Sequence, residues 1–238
     1  MTVQLLHNTP LWVCSKAIRK CWASEDKSDT YDIMSCPDCG KTGIYMDDIS
    51  WYCDNDECSC QCYEEGVEIG NKDKELVYRV GNKNKHSSTL EHLNYTFDIE
   101  GISRACLQEL ARHRHTSLSV KSTRYTLKEL KEADIEKSWK EYLVPVSNTE
   151  VNKYNIYKLM EIQKVLRGAS SNDIVKYMLP EAYRTSLVWT INARSLQNFL
   201  ALRTSKAALW EIRELAQEIY NNLPEEHKYL FEEFIDGK

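Results

Sequence analysis

Between residues 90 and 114 the apolar residues switch from alternation to helical spacing, and that switch constrains the fold more than any other stretch. Leu93, Tyr95, Phe97 and Ile99 alternate with polar neighbours, which predicts a strand with one buried face over residues 90–99. Gly101 is expected to break it. Ile102, Ala105, Cys106, Leu110 and Ala111 then recur as on one face of a helix, with Ser103 positioned to cap its start. The helix delivers Arg112, His113 and Arg114 at its C-terminal end, where the helix dipole favours positive charge.

The rest of the chain mixes helices and strands without a regular βαβ rhythm. Leu11, Cys14, Ile18, Cys21 and Trp22 predict a helix over residues 10–24. Further helical patterns run over residues 127–140 and 149–167, and Ser170 precedes a short helix that must stop before Pro180. β-Branched and aromatic residues over 185–191 predict a strand, followed by a helix over 193–202. Ala208, Ile212, Leu215, Ile219 and Leu223 mark a last helix ending at Pro224. With no internal repeat, this order implies an α+β fold.

One segment departs from that body. Six of the nine cysteines fall between positions 36 and 62, in a stretch rich in Asp and Gly. It reads as an insert over residues 31–71, within a domain formed by residues 1–30 and 72–238. Cys36-Pro37-Asp38-Cys39-Gly40 has the spacing of a zinc knuckle, and residues 43–52 have the composition of intervening strands. The segment resembles a zinc ribbon, with Cys36, Cys39, Cys53 and Cys58 as the ligand set and Cys60 or Cys62 as substitutes for Cys58. Four thiolates leave no open position for a substrate, so such a zinc is structural. The N-terminus has no basic region leading into an apolar run, and no apolar stretch approaches the roughly 20 residues of a membrane helix. A soluble, cytoplasmic protein is expected, and cysteines in a reducing compartment favour metal over disulfides.

The formal net charge of the 238 residues is −5, which argues against bulk nucleic-acid binding. Against that background Arg112, His113, Arg114, His115, Lys121 and Arg124 stand close together, interleaved with Thr116, Ser117, Ser119, Ser122 and Thr123. Guanidinium forks match phosphate oxygens and hydroxyls add neutral donors, so the segment suits a phosphorylated ligand. Ser122 has no base or orienting acid beside it in the sequence, which makes it a hydrogen-bonding residue and not a nucleophile.

Arg112-His113-Arg114, seven residues and Ser122, followed by Arg124-Tyr125, resembles the signature of the flavin-dependent thymidylate synthases. The segment from His86 through Ser88 to Glu91-His92, the turn Gly101-Ile102-Ser103-Arg104-Ala105, and Asn192-Ala193-Arg194-Ser195-Leu196 with Asn198 and Arg203 are similar to other blocks of that family, in the same order. The resemblance covers nearly the whole chain outside residues 31–71. It implies a mixed α/β domain that binds FAD and converts dUMP to dTMP, with 5,10-methylenetetrahydrofolate as carbon donor and NADPH as reductant. It also implies a homotetramer with active sites shared between copies.

By position, the resemblance assigns His86, Ser88, Arg112, His113, Arg114, Asn192, Arg194 and Asn198 to the flavin. It assigns Glu109, Arg112, Val120, Lys121, Ser122, Thr123, Arg124, Lys176 and Arg203 to dUMP, with Arg203 as the catalytic group against the uracil. Arginine keeps its proton at working pH, so Arg203 suits stabilisation of developing negative charge and not proton removal. A purely structural alternative is an arginine at a helix start paired with Glu211 or another acid. Val120 stands where many members carry Glu or Gln, and Lys176 where many carry Arg. Lysine keeps the charge and loses the bidentate fork. The competing functional class is a zinc-ribbon protein that contacts nucleic-acid phosphates through the basic segment; the acidic insert disfavours it.

Overall fold

The computed structural model describes residues 1–35, 44–45, 51–52, 64–168 and 171–235. In chain order, β1 (Thr2–Asn8) leads into α1 (Leu11–Cys21), then β2 (Tyr31–Ser35), β3 (Ile44–Tyr45), β4 (Trp51–Tyr52) and β5 (Glu64–Glu68). Next come α2 (Asn71–Tyr78), β6 (Asn94–Ser103), α3 (Arg104–Leu110), β7 (Thr116–Val120), α4 (Thr123–Thr126) and α5 (Ile135–Tyr142). The chain continues with α6 (Thr149–Arg167), α7 (Asn172–Val175), β8 (Arg184–Asn192), α8 (Ala193–Arg203) and α9 (Trp210–Asn221). The chain divides into two compact units, one of Met1–Asn8 with Asn94–Lys238, the other Thr9–Leu93.

The first unit is built on an antiparallel sheet in the order β1-β6-β8-β7. Its centre follows from the alternation in the sequence. Tyr95 lies opposite Ile191, Phe97 opposite Trp189 and Ile99 opposite Leu187, so the buried residues of the two central strands meet on one face. All six are at most 3% exposed. At roughly 1.5–3 kcal/mol per large apolar side chain, a one-residue slip of this register would forfeit most of the stabilisation of the sheet. Helices α3, α8 and α9 pack on the sheet and against one another. Trp189 and Phe199 meet edge to face at 5.1 Å, joining sheet and α8 in one core.

Gly101 does not end the strand. β6 continues to Ser103 through a bulge between Glu100 and Ile102, and Gly101 sits there with φ +76°. The positive φ is what favours glycine here; a Cβ would meet only the movable end of the Arg184 side chain. Ser103 then caps α3 as expected, its hydroxyl accepting from the Cys106 amide at 3.0 Å.

A second apolar cluster of this unit gathers Leu127, Leu130, Ile135, Leu143, Leu159, Ile162, Leu166, Val175 and Tyr183. Leu159, Ile162 and Leu166 form the buried stripe of α6, and Asn148 caps that helix through the Glu150 and Val151 amides. The single helix expected over 127–140 is instead a 3-10 turn, Leu127–Lys131, followed by α5. The expected strand over 90–99 begins only at Asn94, because residues 87–92 form a 3-10 turn.

In the second unit, α1 packs against α2, with Leu11, Cys14, Ile18, Leu76, Val77 and Leu90 buried. Arg19 and Asp73 form a buried ion pair, and Ser28 and Thr30 donate to the other Asp73 oxygen at 2.5 and 2.6 Å. Asp29 accepts from the Lys72 and Asp73 amides and so closes the start of α2. β2 pairs with β5 over five positions, which brings the two ends of the Cys-rich stretch together, and β3 pairs with β4 where the sequence suggests intervening strands. The expected zinc ligands Cys36, Cys39, Cys53 and Cys58, with Cys60 and Cys62, lie outside the described residues. Among the described residues no helix is long and apolar enough to cross a membrane.

Candidate active site

The site grows from the end of α3. The chain leaves the helix at Leu110, passes Arg112 and His113, and turns at His115 with φ 59°, a left-handed conformation that few non-glycine residues adopt. This turn sends the chain back as β7 along β8. On the other side, β8 runs into α8, whose last residue is Arg203. Arg203 is thus at the end of a helix and not its start.

Three residues from these separate segments converge. Arg203 Nη1 donates to Glu109 Oε2 at 2.8 Å, Nη2 to the Glu109 carbonyl at 3.1 Å, and Nε to His113 Nε2 at 2.9 Å. The Arg112 guanidinium approaches the same Glu109 carboxylate at 3.6 Å while staying largely exposed. Glu211, the acid the sequence offered as a structural partner for Arg203, is engaged elsewhere. It accepts from the Ser103 amide at 2.7 Å and from the Ser103 hydroxyl, and it is 3% exposed. The same carboxylate helps burial push the Cys106 thiol above its ordinary range, which leaves that cysteine an unreactive core residue.

His113 is 9% exposed and stands edge-on to Phe199 at 4.9 Å. Burial, followed by the charge of Arg203, pushes its imidazole down to about 4, with Glu109 opposing. The ring is therefore neutral at pH 7, and acceptance at Nε2 places its proton on Nδ1.

The remaining nucleotide candidates gather around the end of β7. Val120 is exposed, Lys121 Nζ lies 3.9 Å from Glu129, Ser122 is exposed, and Thr123 opens α4. Arg124 holds Asp173 with both Nε (2.7 Å) and Nη2 (3.1 Å), and Asn172 donates to the Arg124 carbonyl at 2.8 Å. Lys176 follows Asp173 by one helical turn, its ammonium 5.7 Å from the Tyr177 ring. Lys121 and Thr123 border an open cavity of about 470 Å³, together with Glu100, Arg184, Thr185 and Ser186.

The flavin candidates occupy two places. Asn192 caps α8 by accepting from the Ser195 amide at 2.8 Å, while Arg194 and Asn198, four residues apart, are exposed. An eleven-residue helix separates Asn192 from Arg203, which corresponds to about 16 Å of axial rise. Arg114 is exposed beyond the end of α3. His86 and Ser88 are exposed residues of the Thr9–Leu93 unit, where the His86 carbonyl accepts from the Thr89 amide and hydroxyl.

Sequence reasoning missed three parts of this arrangement. Phe199, which backs His113, was given no role in the site. Asp173, which takes the Arg124 fork, sits 49 positions away with nothing to single it out. The Ser103–Glu211 contact spans 108 positions.

These features agree with what comparison reveals. The family model described as thymidylate synthase complementing protein matches residues 4–227. A flavin-dependent thymidylate synthase of Wolinella succinogenes is 51% identical over 97% of this chain and 97% of its own length. One of Campylobacter jejuni is also 51% identical, over 98% of this chain and 96% of its own. The crystal structure of thymidylate synthase X from Helicobacter pylori, solved with FAD and dUMP, superposes with a TM-score of 0.78 at 43% identity and covers 99% of both chains. A match of this extent makes the chain a member of the flavin-dependent thymidylate synthase family.

Proposed function

We propose that this protein converts dUMP to dTMP, taking the one-carbon unit from 5,10-methylenetetrahydrofolate and reducing equivalents from NADPH through bound FAD. The observation that carries the reading is Arg203, a guanidinium only 15% exposed and held on two sides by Glu109 and His113. A permanent cation fixed in that way stabilises negative charge that develops on the uracil as C5 becomes nucleophilic, without giving or taking a proton. Glu109 and Arg112 border the same nucleotide. Val120, Lys121, Ser122, Thr123, Arg124 and Lys176 hold its phosphate and sugar, Arg124 by the fork that here engages Asp173.

FAD, when bound, supplies the hydride that completes the methyl group. The donor set fits an anionic dinucleotide: Arg112, Arg114 and Arg194 are exposed permanent cations, and Asn198 is an exposed amide. His86, Ser88, His113 and Asn192 complete the set. The resemblance to the family implies a homotetramer in which neighbouring copies share each site. Four thiolates from Cys36, Cys39, Cys53 and Cys58, with Cys60 and Cys62 as alternates, would give the small Cys-rich segment a structural zinc. Family membership and net acidity disfavour the nucleic-acid-binding alternative.

The test is one purified sample. A flavin absorption spectrum, about one zinc per chain, and dUMP-dependent release of the C5 hydrogen with methylenetetrahydrofolate and NADPH are the expected results. A colourless protein that FAD cannot reconstitute would overturn the enzymatic reading, and a metal-free sample the zinc reading.

A further inference from the structure

We infer that His113 is a positioning residue for Arg203: its neutral imidazole holds the Arg203 guanidinium in the orientation that serves the uracil. The inference rests on the proposed thymidylate synthase activity and adds a task to the flavin contact assigned to this histidine. Arg203 has five N–H donors and no acceptor. Glu109 takes Nη1 through its carboxylate and Nη2 through its carbonyl. Those two bonds come from one residue on one side and leave the guanidinium free to rock about them.

The Nε bond to His113 Nε2 adds a third point from a second residue, just beyond the end of α3, and three points fix a plane. The ring that supplies it is itself held. It is buried, packs edge-on against Phe199 at 4.9 Å, and through Phe199 leans on Trp189 at 5.1 Å. The sheet core therefore reaches the catalytic cation through two aromatic contacts and one hydrogen bond. A second arginine or lysine at position 113 could not serve, because neither has an acceptor. A neutral histidine does, and its protonation would replace the acceptor with a like charge.

Three variants test the idea. His113→Phe keeps a ring against Phe199 and removes the acceptor; His113→Gln returns an acceptor near the place of Nε2. Arg203→Ala provides the background for a double-mutant cycle. With Arg203 misoriented in the transition state, His113→Phe is expected to lower kcat for dUMP by roughly tenfold to a hundredfold. Added FAD restores full flavin occupancy, read by absorbance, before kcat is measured, so that loss of the flavin contact and loss of Arg203 orientation are read separately, and His113→Gln should recover most of kcat. In the Arg203→Ala background His113→Phe should have no further effect on residual C5-hydrogen release.

The inference fails if His113→Phe turns over normally once saturated with FAD, if His113→Gln is no better than His113→Phe, or if the two mutations multiply. Wild-type activity in the same assay separates such a failure from failure of the thymidylate synthase reading. If His113→Phe does not fold, the kcat and flavin occupancy of His113→Gln against wild type carry the test: a hundredfold loss of kcat at full flavin occupancy would overturn it, near wild-type turnover supports it.

Discussion

The contact between Glu211 and Ser103 gives the sharpest stability prediction. Glu211 on α9 accepts from both the amide and the hydroxyl of Ser103, while that hydroxyl accepts from Cys106 and caps α3. Ser103 and Glu211 are each 3% exposed, so water does not replace a lost partner. Hydrogen bonds to a charged group contribute roughly 1.5–3 kcal/mol each, and a buried amide left unpaired retains its desolvation cost. Glu211→Ala should therefore cost about 3–5 kcal/mol. Glu211→Gln keeps one acceptor oxygen and should cost about 1–2 kcal/mol. The exposed Glu214→Ala on the same helix should stay within about 0.5 kcal/mol of the parent. Urea midpoints at pH 7 give the ranking, and thermal scans should show Glu211→Ala lower by on the order of 10 °C. A loss below about 1 kcal/mol for Glu211→Ala, or equal losses for Ala and Gln, would refute the claim that this carboxylate anchors the start of the helix that carries Glu109.

Two further outcomes are expected. Burial pushes His227 down to about 4, and its Nδ1 contacts the Tyr95 hydroxyl at 2.8 Å inside the core. The unfolded chain takes up that proton near pH 6.5, so stability should fall as pH drops from about 6.5 to about 4 and level off below, by about 3 kcal/mol from this residue. His113, pushed down to about 4 as well, adds a change of the same sign over the same range. Urea midpoints against pH for His227→Gln should lose the share of that acid dependence due to this residue, with the His113 share remaining; an unchanged slope would show that another group is responsible. Arg124→Ala removes the fork proposed for the nucleotide phosphate and should raise KM for dUMP by roughly tenfold or more with kcat little changed. An unaltered KM in steady-state assays would remove Arg124 from the phosphate site.

Much of this molecule follows from one-dimensional pattern. Alternation identified one central strand and β-branched and aromatic content the other, and their in-register burial shows why: Tyr95, Phe97 and Ile99 need partners as apolar as Leu187, Trp189 and Ile191. Helix α6 spans the residues expected of it because its apolar stripe and its Asn148 cap are both local. The edge strands β1 and β7 were not legible. Each has a neighbour on one side only and half-buried or exposed residues, so the hydrophobic signal is faint. In β7 it is further hidden beneath the basic and hydroxyl residues that marked the segment as a binding site. The bulge at Gly101 was misread as a strand end because glycine is the same letter in both.

The sequence by itself determined the chemistry on offer: a permanent cation at Arg203, an acid at Glu109, a titratable ring at His113, and the family to which their spacing belongs. It could not show that these three side chains share hydrogen bonds across 90 and 94 positions, nor that burial keeps the histidine neutral. Those facts arise from long-range pairing. β6 and β8 must lie side by side before the ends of α3 and α8 meet, and a side chain's charge state is set by neighbours that only the fold brings within reach.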